Sequence, residues 1–316
     1  MGAAAALKIS HYMPPTHGTY RDFIAPWART LERRSGGAIS ATVYDGSTPL
    51  GLLANQFEQV RSGIVDIAHS VGSLPAGRFP RMSIVGMPFL ASSAAAGTRL
   101  LWHLFPRHLA PEFAEFKVLA LHADAGGLLH TRDRPIERLE DLVGLRIRTP
   151  NPLISEMIRR LGAEPVPLAP PEIHAALESG IIDAAAMPWD VVLYTRTEEF
   201  FRCHLDTRLY VSPLYFVMNR GRYESLAPDL QAAIDNVSGE ALVDRFGAWW
   251  ASWEAEGIAE VVARGHTMTR LDETERQRWQ TAVAPAIDAH LERLAGEGID
   301  AKTIYTAAQR YLGAGG

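Results

Sequence analysis

The run Arg61-Ser62-Gly63-Ile64-Val65-Asp66-Ile67-Ala68 returns 117 residues later as Glu178-Ser179-Gly180-Ile181-Ile182-Asp183-Ala184-Ala185. A chain that repeats a segment at this distance is expected to contain one structural unit twice. In both copies a short amphipathic run (Gln56 to Val60; Ile173 to Leu177) meets a glycine suited to the left-handed position that ends a helix, and an apolar run follows. Each copy therefore reads helix, glycine stop, buried strand.

The order of elements before those points also agrees. In the first copy Leu7 to Ser10 reads as a strand, Tyr20 to Arg34 as a helix with Phe23, Trp27 and Leu31 on one face, and Ile39 to Tyr44 as an alternating strand. In the second, Leu145 to Arg148 is a strand, Leu153 to Leu161 a helix and Pro165 to Leu168 the next strand. Strand, helix, strand, helix, strand is the pattern of an open parallel α/β sheet with right-handed crossovers. Two such lobes imply a cleft. Val118 to Leu121 and Leu128 to Thr131 are placed to carry the chain from one lobe to the other, and Tyr210 to Met218 to carry it back. Pro228 to Ala263 is helical in pattern for most of its length, long enough to span both lobes. Gln277 to Gly296 and Ala301 to Leu312 read as terminal helices.

Composition narrows the function classes. The 316 residues suit two domains, and 47% hydrophobic with 21% charged residues is a globular balance. A formal charge of -5 leaves no basic surplus for phosphates, so nucleic acid is not an expected partner. The single cysteine, Cys203, excludes an intrachain disulfide. No run approaches the ~20 apolar residues that a membrane-spanning helix needs, and Met1 to Leu7 lacks the basic start of an intact secretory signal. The glycine-rich phosphate and dinucleotide loops, the G-x-S-x-G elbow and H-E-x-x-H are all absent. The Cys203-His204 neighbours point apart on any regular element, so they do not read as a nucleophile and base.

Arg148 carries the chemistry. It ends the first strand of the second copy, and the carboxyl ends of such strands line the ligand crevice of open α/β sheets. A guanidinium there is always charged and presents a planar fork that matches a carboxylate. The corresponding strand end of the first copy leads to His11, Tyr12, Met13 and His17.

The chain resembles the extracytoplasmic solute-binding proteins of TRAP transporters, the DctP-like family, over nearly its whole length. The resemblance is carried by His11-Tyr12-Met13-Pro14-Pro15-Thr16-His17, by Gly77-Arg78-Phe79-Pro80 with Gly86-Met87-Pro88-Phe89, by Arg134-Pro135-Ile136 to Pro150, and by Ala175 to Asp183. It implies an α/β, two-lobed periplasmic-binding-protein architecture, each lobe an open mostly parallel sheet flanked by helices, joined by crossing strands and a long spanning helix. The expected division is 1–124 plus 213–252 for lobe 1, and 125–212 plus 253–316 for lobe 2 with the C-terminal helices. The arginine that clamps a ligand carboxylate in that family matches Arg148. The implied partners are a small organic acid and the membrane subunits of a TRAP permease, and the implied place is the periplasm, with the signal peptide absent from the given sequence. The chain is expected to act as a monomer, without cofactor or metal and without catalysis.

Departures from the family pattern shape the expected ligand. Where many relatives read Asp-Gly-x-Glu-Asn-Pro, this chain has Asp183-Ala184-Ala185-Ala186-Met187-Pro188, so Met187 cannot supply the amide and Ala186 cannot supply the metal-side carboxylate. Leu128 stands where sialic-acid-binding relatives carry a second arginine, and Pro170 where an aromatic is common. Fewer hydrogen-bonding groups point to a monocarboxylate with an apolar, aromatic or branched part, because each unsatisfied polar group in a buried site costs roughly 1–3 kcal/mol. Trp189, Met187, Leu128, Tyr12 and Tyr215 are candidate walls, and His17, His69, Tyr210 and Ser212 complete the candidate ligand-binding set around Arg148. The alternative is a two-lobed enzyme acting on an organic acid in the same cleft, with His17, His69, Asp190 and Glu172 as acid or base candidates.

Overall fold

The structure, a computed structural model, describes residues 5–315. Residues 1–4, most of the stretch read for a secretory signal, lie outside the described residues. The first unit runs β1 (Ala5–His11), α1 (Ala25–Arg34), β2 (Ile39–Tyr44), α2 (Gln56–Ser62), β3 (Ile67–Val71), then α3 (Ala94–Leu104) and β4 (Phe116–Ala123). The helix expected from Tyr20 opens with a wider π-type segment, Thr19–Ile24, and settles into α-geometry where Pro26 removes a backbone donor. The second unit runs β5 (Leu128–Thr131), β6 (Arg146–Thr149), α4 (Pro152–Arg160), β7 (Glu164–Pro167), α5 (Ile173–Glu178), β8 (Ala184–Met187), α6 (Trp189–Tyr194) and β9 (Cys203–Leu205). The chain returns through β10 (Pro213–Asn219) and α7 (Arg220–Glu224), and closes with α8 (Pro228–Asp235), α9 (Glu240–Ala263), β11 (Thr267–Thr269), α10 (Glu273–Gly296) and α11 (Ala301–Gly313).

The repeat is real in three dimensions. Within each copy of the repeat, β1 to β3 and β6 to β8, the first strand sits between the other two, all parallel, in the orders β2-β1-β3 and β7-β6-β8. The two repeat glycines hold left-handed backbone, Gly63 at φ 78° and Gly180 at φ 68°, where a Cβ would be strained. The sheets are β2-β1-β3-β10-β4 and β11-β9-β5-β8-β6-β7. Both are mostly parallel with one reversed strand each: β10 runs antiparallel to β3 and β4, and β5 antiparallel to β8 and β9. Those reversed strands flank the segments where the chain crosses between lobes.

Each sheet is buried on both faces, which accounts for its near-continuous apolar strands. On the first sheet, Phe23, Trp27, Phe216, Phe246 and Trp250 fill one face, while Phe79, Leu101, Phe113 and Tyr215 fill the other. The helix expected over Pro228 to Ala263 is two helices. Gly239 takes φ 69°, its N–H donates to the Leu119 carbonyl at 2.7 Å, and the Val237 carbonyl accepts from Trp27 Nε1 at 2.9 Å. These bonds divert the backbone groups that a continuous helix would use. The second piece, α9, still spans both lobes, placing Phe246 and Trp250 in the first core and Val261 in the second.

The C-terminal division needs a correction. Helix α10 begins against the second lobe through Trp279 and Val283, but its Leu291 and Leu294 join Ile304 of α11 in the first-lobe core beside α3. The apolar face of α11 is satisfied there, so the last helix belongs with lobe 1 rather than lobe 2.

Candidate functional site

Arg148 sits on β6, between β7 and β8, at the carboxyl end of the parallel strands. Its side chain is 3% exposed. Nε donates to the Leu168 carbonyl at 3.0 Å and Nη1 to the Ala186 carbonyl at 3.2 Å. These two bonds orient the guanidinium and leave Nη2 uncommitted among the described residues. No carboxylate of the described residues lies within 4.0 Å of it. Burial lowers its pKa, with the more distant Glu172 charge opposing, yet a guanidinium stays protonated in proteins, so the fold holds a desolvated cation with no carboxylate in contact among the described residues. Such a charge is strongly stabilised by any anion admitted to it.

Tyr210 shares the Ala186 carbonyl, its hydroxyl donating at 3.2 Å, and the Arg148 charge favours its ionised form against the larger effect of burial. On α6 the phenol of Tyr194 is raised by burial and then by the Asp190 charge, with Arg148 pulling the other way. Tyr12, just beyond β1, is raised well above the ordinary phenol range by burial and then by Tyr194, Asp190 and Asp124. Arg148, Tyr210, Tyr194, Asp190, Asp124 and Tyr12 thus form one electrostatic neighbourhood drawn from both lobes.

His17 and Asp190 meet across the lobes. His17 Nδ1 accepts the Thr19 N–H at 3.0 Å, and Nε2 faces Asp190 Oδ2 at 3.5 Å. A cavity of ≈ 130 Å³ opens beside them, walled also by Tyr194 and Trp253. A larger cavity of ≈ 340 Å³ lies by Phe89 and Arg208, but Arg208 already holds the carboxylates of Asp206 and Glu254.

Asp124 follows the last residue of β4 and fastens the two crossing segments. Its Oδ1 accepts the N–H of Ser212 at 2.8 Å and of Gly126 at 3.1 Å, and its own N–H donates to the Ser212 carbonyl at 3.1 Å. Burial and then the Asp190 charge push its carboxyl up to about 7. Ser212 therefore serves the crossing through its backbone.

The other expected residues are placed as follows. Leu128 and Met187 are register partners on β5 and β8, and both lie fully buried with Trp189 in the core under α5 and α6. Tyr215 packs at 5.2 Å against Phe79 in the first-lobe core, on the face away from Phe216. His69 stacks on Tyr12, ring centroids 6.2 Å apart. Cys203 is buried with its thiol pushed up by desolvation, and His204 is committed elsewhere. His130 Nε2 donates to the Met187 carbonyl at 3.0 Å, so its Nδ1 accepts from His204 Nδ1 at 2.8 Å, and His204 Nε2 accepts from His266 Nδ1 at 2.9 Å. Asp124 and Tyr194 were not foreseen. Applying the strand-end rule to β4, as to β6, finds Asp124, whereas no sequence signal marks Tyr194.

Comparison with known proteins agrees with this geometry. The family model described as bacterial extracellular solute-binding protein, family 7, matches residues 9–294. A solute-binding protein of Verminephrobacter eiseniae is 28% identical over 279 residues, covering 87% of this chain and 81% of its own. A TRAP solute-binding protein of Rhodoferax ferrireducens, solved with copurified benzoate, is 30% identical with a TM-score of 0.92 over 98% of both chains. A marine metagenome TRAP solute-binding protein described as specific for aromatic acids, solved with 3-hydroxybenzoate, is 28% identical with a TM-score of 0.93 over 99% of both. The chain belongs to the DctP family of bacterial extracellular solute-binding proteins.

Proposed function

We propose that the protein captures a small aromatic or branched monocarboxylate between its lobes, with the carboxylate on Arg148, and delivers it to the membrane subunits of a TRAP permease. The observation that carries this reading is the 3%-exposed guanidinium, oriented by two carbonyls and without a carboxylate partner among the described residues. The aromatic acids bound by the two structural relatives support the ligand class. So does the chain's own chemistry: Met187 on β8, the strand next to that of Arg148, and its register partner Leu128 on β5 are buried side chains that offer no hydrogen bond.

Closure of the lobes expels water from around the cation and its ligand, which strengthens the charged contact in the lower local dielectric. The crossing segments held by Asp124 and the span of α9 are the hinge. Capture without turnover is supported by the commitments of three of the four acid and base candidates. His17 Nδ1 is bound to Thr19, His69 bonds His122, and Glu172 accepts the Ala169 N–H as a helix cap. No helix of the described residues is long and apolar enough to cross a membrane, and the family is extracellular, which fits a periplasmic protein. We read it as a monomer, since one chain supplies both walls of the cleft.

Thermal unfolding against a panel of organic acids tests the reading. A ligand held only by the folded state adds about 2.7 kcal/mol at a hundred times its Kd. A raised midpoint with benzoate, and none with polyhydroxylated acids, is the expected result; no rise with any carboxylate overturns it.

A further inference from the structure

The indole of Trp250 on α9 can only donate, and its Nε1 lies 3.2 Å from His122 Nδ1 on β4. His122 Nδ1 is therefore the bare, accepting nitrogen. A neutral imidazole then carries its proton on Nε2, which lies 2.8 Å from His69 Nε2. His69 Nε2 must accept. The one proton of His69 is left on Nδ1, which is buried and has no hydrogen-bond partner among the described residues. Full burial, followed by the neighbouring His122, holds the His69 pKa well below its ordinary value, so the ring stays neutral and this assignment holds.

The fold thus spends two other side chains to fix the direction of one N–H. His69 lies on β3 beside His11, the last residue of β1, and its ring is parallel to Tyr12 within 8°. Phe23 and Phe216 pack around it and offer no acceptor. Tyr12, on which the ring stacks, follows the carboxyl end of β1, and such strand ends form the cleft wall, so a ligand in the cleft is the candidate acceptor for this donor.

We propose that His69 is a specificity-determining residue whose Nδ1–H donates to a second oxygen on the ligand, so that the preferred cargo is a carboxylate carrying a hydroxyl, oxo or ether oxygen away from the group held by Arg148. This rests on the reading that Arg148 clamps the carboxylate. It extends that reading from a class of acid to a functional group on it. An ammonium or a bare apolar edge at the same place leaves the donor unpaired and is rejected.

The test is calorimetric titration of benzoate, the three monohydroxybenzoates and mandelate into the wild type, His69→Phe and His69→Asn. Phenylalanine keeps a flat ring against Tyr12 and removes the donor; asparagine returns an N–H near the Nδ1 position. The expected result is that at least one oxygenated acid binds the wild type tenfold or more tighter than benzoate. That ratio falls to near one in His69→Phe, with benzoate affinity within about twofold, and recovers in His69→Asn. A preference unchanged in His69→Phe, or no preference in the wild type, overturns the proposal while leaving the Arg148 reading intact. Failure of the wild type to bind any of these acids overturns the Arg148 reading instead. Nitrogen NMR of the wild-type histidines is independent of how the variants fold: Nδ1–H on His69 is expected, and an Nε2–H tautomer overturns the proposal.

Discussion

Asp66 and Asp183 make the same pair of bonds in the two lobes. The Asp66 N–H donates to the Lys8 carbonyl at 2.9 Å and its carboxylate accepts the Lys8 N–H at 2.7 Å. The Asp183 N–H donates to the Arg146 carbonyl at 2.8 Å and its carboxylate accepts the Arg146 N–H at 3.0 Å. Each aspartate thereby pins the third strand of its unit to the first, which explains why Gly-Ile-x-Asp is the part of the repeat that survives in the sequence. A guanidinium completes each, from Arg222 on Asp66 and from Arg146 itself on Asp183.

Replacing Asp66 with alanine leaves the Lys8 N–H and the Arg222 guanidinium without their acceptor. We expect a loss of about 1–3 kcal/mol in urea unfolding. Asp183→Ala should fall at the lower end, because its ion pair is partly exposed and screened. A change below about 0.5 kcal/mol in both variants, the level of an ordinary surface substitution, would remove the pinning role.

The His17–Asp190 contact joins a first-lobe loop to the second-lobe helix α6. Because His17 Nδ1 accepts from Thr19, its Nε2 carries the proton that faces Asp190. Asp190→Asn exchanges the charged acceptor for a neutral amide at the seam. The expected effect is roughly tenfold faster ligand dissociation, about 1.4 kcal/mol, and a larger radius of gyration of the liganded protein in X-ray scattering. Equal dissociation rates would show that the seam does not hold the lobes together.

Buried histidines and a buried aspartate act on stability with opposite signs. Burial lowers His130 to about 4 and His204 to about 2, below the ordinary 6.5. The unfolded chain takes up protons first, so their contribution is present above pH 6.5 and lost as pH falls toward the folded values. Asp124, raised to about 7 from 3.8, binds its proton more tightly when folded, so its contribution is present at low pH and lost as pH rises to about 7. Melting temperatures between pH 4 and 7 should rise more steeply in Asp124→Asn than in the wild type. Glu112 and Glu254, also raised to about 7, are common to both proteins and drop out of the comparison. An unchanged slope would contradict the assignment to Asp124.

The elements near the repeat were readable because their signals are local: Ile39–Tyr44 and Leu128–Thr131 fall where alternation and apolar runs place them. Arg148 was readable because strand-end position and side-chain chemistry coincide. The break at Gly239 was not, since it depends on a bond to Leu119, far away in the chain. Nor were the histidine pairs: His69 and His122 are 53 residues apart, and His130 and His204 are 74 apart, joined only by sheet pairing. Met187 and Trp189 show the converse limit. Their apolar character suits a pocket wall or a core equally, and they lie fully buried in the second-lobe core.

Arg148 waits for a carboxylate, and titration of benzoate into the wild type, Arg148→Lys and Arg148→Met reads this at the residue itself. Lysine keeps the charge but loses the planar fork, so the expected affinity is more than tenfold weaker in Arg148→Lys, with no measurable binding in Arg148→Met. Relieved of an unpaired buried charge, Arg148→Met is also expected to unfold without ligand at or above the wild-type midpoint. Benzoate affinity unchanged in Arg148→Met would remove the carboxylate from Arg148.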